Sequence, residues 1–354
     1  MIDIKSMNLA ELSAEMRALG EPAFRAKQVF TWLHKPTTSG AERDATANAA
    51  VARDFDEMTN LPKALRDKLC EGYFITAPEI MSKQVSAEDG TVKYLWKMRD
   101  GEAVESVLMR YNHGNTICIS SQVGCRQGCV FCASTLGGLV RNLTAGEMLD
   151  QVMFSQLDCG ERISNIVLMG IGEPLDNFDN VLRFLELVSH ADGLNIGMRH
   201  ISLSTCGITE NVDKLGDLGL QLTLSVSLHA PDDATRMQLM PINRAHNVAE
   251  LMDACGRYFT KTGRRISYEY AMIDGVNDTP EHARMLVKLL RGTGSHLNLI
   301  LLNDVAERPL KPSRRESADA FTRILERGNV NFTFRRRLGR DIDAACGQLR
   351  RKHS

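Results

Sequence analysis

Apolar residues recur at helical spacing through Glu11–Leu19 and Phe24–Leu33, with Pro22 between them, and again through Leu61–Leu69 after Asn60 and Pro62. A period of three and four puts one apolar stripe on each segment, so three short amphipathic helices are expected in the first part of the chain. The pattern then changes. Thr91–Met98 and Ala103–Tyr111 alternate around Asp100-Gly101, the signature of a β-hairpin. From Ile117 onward short, nearly continuous apolar runs take over: Ile117–Ser120, Asn165–Met169, Ile201–Ser204, Leu222–Leu228, Ile266–Ile273, Leu297–Leu302 and Val330–Phe334. Amphipathic helices are expected between them. Val181, Leu182, Phe184, Leu185 and Val188 mark the apolar face of one, and Thr279 with Pro280 starts another.

Apolar strands alternating with amphipathic helices imply a parallel sheet covered by helices on its outer face, an α/β fold. The count is about six βα units, too few for a closed eight-stranded barrel but enough for a partial, curved one. The chain divides into a small helical accessory region over residues 1–90, a hairpin extension over 91–116, a partial barrel over 117–337 and a carboxyl-terminal segment over 338–354. Between Pro36 and Asp54 an Ala/Thr/Ser-rich stretch with few large apolar residues reads as an exposed loop or insert.

Composition changes this picture little. With 43% apolar and 25% charged residues the chain is ordinary globular material, so long disordered spans are not expected. No apolar run approaches the roughly 20 residues of a membrane helix. The amino terminus is charged and lacks the apolar core of a signal peptide, so a cytoplasmic protein is expected. Nine cysteines is an odd number, better suited to metal or catalytic thiols than to a disulfide framework. Net charge is −1, but Arg308–Ser354 holds 13 Lys and Arg against 5 Asp and Glu, including Arg335-Arg336-Arg337, Arg340 and Arg350-Arg351-Lys352. A basic end on a neutral chain suggests either a phosphate-contacting face or a solvated tail.

The candidate chemistry gathers at the carboxyl ends of the expected strands, where such folds place their sites. Cys125, Cys129 and Cys132 are spaced C-x3-C-x2-C after the first strand of the barrel. Three thiolates on so short a loop suit one soft metal centre. A structural zinc closes with four protein ligands, whereas a four-iron cluster held by three cysteines keeps one iron open. The zinc alternative would draw its fourth ligand from Cys118 or His113. Gly170-Ile171-Gly172-Glu173 lacks the third glycine of a dinucleotide loop; Glu173 offers an acceptor for an ammonium. Ser204, Ser227-Leu228-His229 and Asn303 end later strands. Near the carboxyl terminus, the arginines at 335–337 and 340 would favour a thiolate at Cys346, and Gly347 allows a tight loop there.

CRQGCVFC resembles the cluster loop of the radical S-adenosylmethionine (SAM) superfamily. FRAKQVF, FDEMTNLPKALRDKL, ESVLMRY, CISSQVGC, GIGEP, LSTCG, SLHAP, MPIN and DIDAACGQL, in that order, resemble the dual-specificity adenine-carbon-2 RNA methyltransferases of the RlmN type over essentially the whole chain. That resemblance implies a radical-SAM partial barrel and a [4Fe-4S] cluster on Cys125, Cys129 and Cys132. It implies SAM, two per turnover, against Gly172, Glu173, Ser204, Ser227, Leu228, His229 and Asn303. Cys346 would be the thiol that is methylated, Cys118 the thiol that resolves the RNA adduct and leaves a disulfide, and Glu105 a base. The implied substrates are 23S rRNA at the peptidyl transferase centre and tRNA in the anticodon loop; an external electron donor such as flavodoxin, a monomer and no membrane association are also expected. Two alternatives are kept: a carbon-8 adenine methyltransferase with nearly the same machinery, and a zinc-binding RNA adaptor without catalysis. The sequence departs from the family in the long stretch after Pro36 and in Asp304-Val305 following Asn303.

Overall fold

The computed structural model describes residues 1–35 and 51–350. Most of the Pro36–Asp54 stretch, and Arg351 and Lys352 of the basic end, lie outside the described residues. The end of that stretch differs from the exposed loop expected of it: Val51 and Ala52 are buried, with Ala52 N donating to Trp32 O at 3.3 Å.

In chain order the amino-terminal region contains β1 (Ile2–Asp3), α1 (Leu9–Ala18), α2 (Phe24–His34), α3 (Lys63–Gly72) and β2 (Tyr73–Phe74), the two short strands pairing in parallel. Asn8 and Glu11 form a capping box at the start of α1, satisfying two orphan N–H groups. Next come β3 (Glu79–Val85), β4 (Val92–Lys97), β5 (Ala103–Tyr111) and β6 (Gly114–Cys118), all antiparallel neighbours. The expected hairpin is therefore part of a longer meander. β3, inside the residues assigned to the helical region, is its edge strand.

The barrel follows. β7 (Gln122–Gly124) and β8 (Leu139–Asn142) pair with each other and frame the cysteine loop. The chain continues through α4 (Ala145–Cys159), β9 (Ile163–Leu168), α5 (Phe178–Ser189), β10 (Ile201–Thr205), α6 (Thr209–Asp217), β11 (Thr223–Ser227), α7 (Asp233–Leu239), α8 (Val248–Thr262), β12 (Ser267–Met272), α9 (Pro280–Leu290), β13 (His296–Leu301), α10 (Arg315–Arg327) and β14 (Phe332–Phe334). One ten-stranded sheet runs β14-β13-β12-β11-β10-β9-β6-β5-β4-β3, parallel from β14 to β6 and antiparallel beyond it. β14 and β3 are its two edges, so the barrel is open, as expected. Core residues on the strands, among them Ile166, Leu203, Leu224, Val226 and Leu299, are fully buried beneath the helices.

The amino-terminal region shares this core. α4 is buried along most of its length because the sheet covers one side and the chain's beginning covers the other. Lys5 Nζ lies 2.6 Å from Asp150 Oδ1, both side chains fully buried, and donates also to Thr76 O at 2.5 Å. Ser6 Oγ accepts from Gly146 N at 2.8 Å, and Thr144 Oγ1 donates to Asp3 Oδ2 at 3.0 Å. Asp150 is pushed up to about 6 by burial, with Lys5 opposing. Removing one partner of such a pair costs about 3–5 kcal/mol.

Candidate active site

The β7–β8 pair fixes the cysteine loop through one demanding residue. Gly124 has φ of 77°, and a Cβ there would stand 1.9 Å from Gly138 O. Only glycine allows the two strands to meet. Within the loop Cys125 N donates to Gly138 O at 3.0 Å, and Thr135 Oγ1 donates to Cys132 O at 3.0 Å. Cys125, Cys129 and Cys132 line one cavity, with an open space of about 970 Å³. Burial, then the neighbouring thiol of Cys132, pushes Cys129 up; burial pushes Cys125 to about 12. Thiols so hard to ionise in one another's company fit a site where bound metal supplies the compensating charge.

Among the described residues no three His, Cys, Asp or Glu side chains gather closely enough for a single ion. The three thiols line one cavity, and three cysteine sulfurs are the donor type that holds an iron–sulfur cluster. Neither zinc candidate joins them: Cys118 lines an adjacent cavity, and His113 stacks on Tyr111 at 5.0 Å and lines another.

Gly172, Glu173, Ser204, Ser227, His229 and Asn303 line the same cavity as the three cysteines. Gly172 has φ of 108°, and a Cβ would fall 2.6 Å from Gln122 Cβ. Glu173 is buried; its Oε1 accepts from Leu175 N at 3.0 Å and its Oε2 from Cys206 N at 2.7 Å, while burial raises its carboxyl against those bonds. An ionised carboxylate has about four acceptor sites, so the two backbone donors do not saturate it. His229 Nδ1 accepts from Ala271 N at 2.9 Å, which leaves the ring proton on Nε2. Burial, then Arg236, lowers this imidazole to about 3, so it stays neutral and donates. Leu228 differs from its neighbours. Its side chain is fully buried in the core, and its main chain donates to Glu269 O at 3.1 Å and accepts from Arg236 Nε at 3.2 Å.

The carboxyl-terminal segment closes one side. Asn303 Nδ2 donates to Cys346 O at 3.0 Å, Ala133 N to Gly347 O at 2.8 Å, and Ser134 Oγ to Leu349 O at 2.7 Å. These bonds put Cys346 in the cavity wall with its thiol exposed. Cys346 also lines the adjacent cavity with Cys118, Met109, Tyr111 and Arg335. Cys118 is buried, and burial first, then Cys346, pushes its thiol to about 12. Glu105 lines neither cavity. Its Oε2 accepts from Arg350 N at 2.8 Å, and its Oε1 lies 3.8 Å from Lys93 Nζ.

Several residues of the site carry no sequence signal of their own. Cys206 lines the cavity beside Cys129. Arg236, fully buried, donates to Cys206 O at 2.6 Å, Ser227 O at 3.3 Å, Leu228 O at 3.2 Å, Asn243 Oδ1 at 3.0 Å and His246 O at 3.2 Å, gathering the ends of β10 and β11. The MPIN phrase, which contains Asn243, is thereby explained as the partner of this buried cation.

Residues 119–289 match the sequence model of the radical SAM superfamily, and residues 2–42 match that of the ribosomal RNA large subunit methyltransferase N-terminal domain. A probable dual-specificity RNA methyltransferase RlmN of Lachnoclostridium phytofermentans is 49% identical over 100% of this chain and 95% of its own length. A relative of the same description from Lachnospira eligens is 50% identical over 100% of this chain and 97% of its own. The crystal structure of a radical SAM methyltransferase from Sphaerobacter thermophilus superposes with a TM-score of 0.89 at 40% identity, covering 99% of both chains. The superfamily implies a [4Fe-4S] cluster and SAM, and the thiol donor set and polar wall fit both. A zinc-binding adaptor is set aside, because this chain belongs to the RlmN family of SAM-dependent RNA methyltransferases, within the radical SAM superfamily.

Proposed function

We propose that this enzyme methylates carbon 2 of adenine, in 23S rRNA at the peptidyl transferase centre and in tRNA in the anticodon loop, with Cys346 carrying the methyl group. Two SAM are used per turnover, an external donor such as flavodoxin supplies electrons, and the enzyme acts as a cytoplasmic monomer. The observation that carries this reading is the position of Cys346, which lines both the cavity of the three cysteines and the adjacent cavity of Cys118. No helix among the described residues is long and apolar enough to cross a membrane.

Carbon 2 lies between two ring nitrogens and is electron-poor, so it does not attack an electrophilic methyl group; a carbon radical adds to it. The bound cluster and SAM supply the methyl group and the one-electron chemistry. Cys125, Cys129 and Cys132 hold the cluster, Glu173 takes the ammonium of SAM, and His229 donates from Nε2. Cys346 Sγ would take the methyl of one SAM and release its thiol proton; a hydrogen atom of that methyl would pass to the deoxyadenosyl fragment of the second SAM, and the carbon left with the unpaired electron would bond to carbon 2. Glu105 is the candidate base for the ring proton; it lines neither cavity, and its bond to Arg350 N ties it to the segment that carries Cys346. Cys118 Sγ then attacks Cys346 Sγ, breaking the sulfur–carbon bond. The released carbon is protonated to methyl, a Cys118–Cys346 disulfide remains, and the one unpaired electron of the adduct would return to the cluster. Mass spectrometry of nucleosides from RNA methylated in vitro tests the reading: 2-methyladenosine is expected, and exclusive 8-methyladenosine overturns it.

A further inference from the structure

Glu269 is a charged side chain placed where nothing in the scheme above uses it. It sits on β12 facing into the barrel, 4% exposed, and lines the cavity with Cys346. One oxygen is held by a dedicated network: Asn298 Nδ2 donates to Glu269 Oε1 at 2.9 Å and to Ser267 Oγ at 3.0 Å, and Thr333 Oγ1 donates to Asn298 Oδ1 at 3.1 Å. The side chains of three adjacent strands thus fix the carboxylate plane. Among the described residues the other oxygen, Oε2, accepts no hydrogen bond, although it is buried. Arg335 Nη1 lies 3.6 Å from it, close enough for charge attraction and too far for a hydrogen bond. A buried carboxylate oxygen without a donor is costly, and a carboxylate held this firmly with one oxygen free is arranged to receive one.

Arg335 stands on the other side of that oxygen. It lines the cavity of the three cysteines and the adjacent cavity of Cys118, and donates from Nη1 to Met169 Sδ at 3.3 Å. Glu269 and Arg335 therefore present an acceptor beside a donor. Adenine carries the complement on one edge, the amine at carbon 6 beside the acceptor N7. We propose that Glu269 and Arg335 grip this edge of the target adenine, with Glu269 Oε2 accepting from the amine and Arg335 donating to N7. The inference rests on the proposed function and adds to it a reason for the ring position. An adenine held by its N6/N7 edge turns carbon 2, on the far side of the ring, away from the pair and leaves it open to Cys346. Carbon 8, next to N7, is crowded against Arg335. The apolar side chains of Met169 and Ile300 line the same cavity and offer surface to the ring faces. SAM carries an adenine too, so the test must separate the two.

Glu269→Gln gives a directed change of polarity. Asn298 Nδ2 donates toward the position of Oε1, so the glutamine oxygen settles there and its amide nitrogen faces the cavity as a donor. Tightly matched anticodon stem-loop RNAs carrying adenosine, inosine or purine riboside at the target position are compared on the reconstituted enzyme, by kcat/KM for methylation and by the Kd of the labelled stem-loop. The wild-type enzyme is expected to favour adenosine over purine riboside, which lacks the amine, by about tenfold or more. E269Q is expected to lose that preference and to shift the adenosine-to-inosine ratio toward inosine, a 6-carbonyl acceptor, by a similar factor, with its Kd for SAM unchanged. A wild-type enzyme that treats adenosine and purine riboside alike overturns the proposal, while carbon-2 methylation itself stands. So does an E269Q enzyme whose loss follows SAM affinity with base preference intact, because the adenine held is then that of SAM. A wild-type enzyme that forms no 2-methyladenosine from the adenosine stem-loop overturns the functional reading and this inference together.

Discussion

Lys5→Met tests the joint between the amino-terminal region and the barrel. The substitution keeps an apolar stem of similar length and removes the cation from a fully buried pair, leaving Asp150 with Oδ1 unpartnered where Oδ2 already lacks a hydrogen bond. The expected loss is about 3–5 kcal/mol at neutral pH. Its pH dependence follows from the direction of the Asp150 shift. Burial raises that carboxyl from 3.8 to about 6 even with Lys5 present, so the folded state binds a proton more tightly than the unfolded chain. Stability from this group is therefore greatest below the unfolded value and falls as pH rises through the folded one. Without Lys5 the folded value rises further, and the penalty of Lys5→Met is largest where Asp150 must stay ionised. His34 runs the other way: burial, then Lys5, lowers it to about 3, so stability from it is lost as pH falls below its ordinary range. Burial, the larger cause, is common to both proteins, so most of that term cancels in their difference. Denaturant unfolding at about pH 8 and about pH 5 measures this difference, with a larger loss expected at the higher pH. The double variant Lys5→Met/Asp150→Leu is expected to recover most of the loss, because no uncompensated charge remains. A Lys5→Met loss under about 1 kcal/mol, or a double variant no more stable than the single, refutes the reasoning.

Gly172→Ala is expected to weaken SAM binding at least tenfold in equilibrium dialysis, since a φ of 108° strains any other residue by about 1–3 kcal/mol and the new methyl meets Gln122; unchanged affinity would show that SAM does not depend on this close approach. Cys346→Ala is expected to keep its cluster, seen by iron content and visible absorbance, and to lose RNA methylation; methylated product from it would mean that the methyl travels by another route. Cys118→Ala is expected to stall with RNA joined to Cys346, detected as a band that survives denaturation and leaves a nucleotide mass on the Cys346 peptide after ribonuclease. Normal turnover by that variant returns Cys118 to a buried strand residue.

The barrel strands were legible because each carries buried apolar residues in a short run, as in Ile201-Ser202-Leu203 and Leu297-Asn298-Leu299, and the switch from helical to strand period marks where each begins. The site was legible because its residues follow strand ends, a position that depends on local sequence alone. Other features depend on what folds against them. β3 is exposed on every residue, with Ile80, Met81 and Val85 at 43%, 40% and 57%, so it has no burial pattern to read and is a strand only because β4 pairs with it. Asp150 in α4 reads as a surface residue until Lys5, far away in sequence, is seen against it. Arg236 reads as one more helix charge, and its five carbonyl and amide partners come from three separate stretches of chain. Glu105, assigned a base by resemblance, accepts from Arg350 N and faces Lys93, neighbours that the sequence around it does not announce.

The two thiols of the proposed scheme differ in a way that orders the chemistry. Cys346 is exposed on a loop held by hydrogen bonds from Asn303, Ala133 and Ser134, and it lines both cavities. Cys118 is fixed in β6, buried, with its thiol pushed to about 12 chiefly by burial. A thiol at that level is almost wholly protonated near neutral pH, so it is a poor nucleophile toward SAM or an oxidant. Under the proposed scheme this protects the methyl transfer, because Cys346 is the accessible acceptor and Cys118 does not compete. The same burial makes Cys118 slow as a resolving thiol unless something lowers its cost of ionisation when the adduct has formed. Arg335 stands in that cavity, and its charge lowers the Cys118 thiol against the pull of burial. An adenine gripped between Glu269 and Arg335 would hold the guanidinium in place beside both cavities, where its charge favours a thiolate at Cys118. Substrate would then arm the resolving thiol that its own release requires. Alkylation of Cys118 by a small electrophile should accelerate when the adenosine stem-loop binds the Cys346→Ala enzyme, and the acceleration should vanish with purine riboside in place of adenosine; equal rates with and without RNA would break the link.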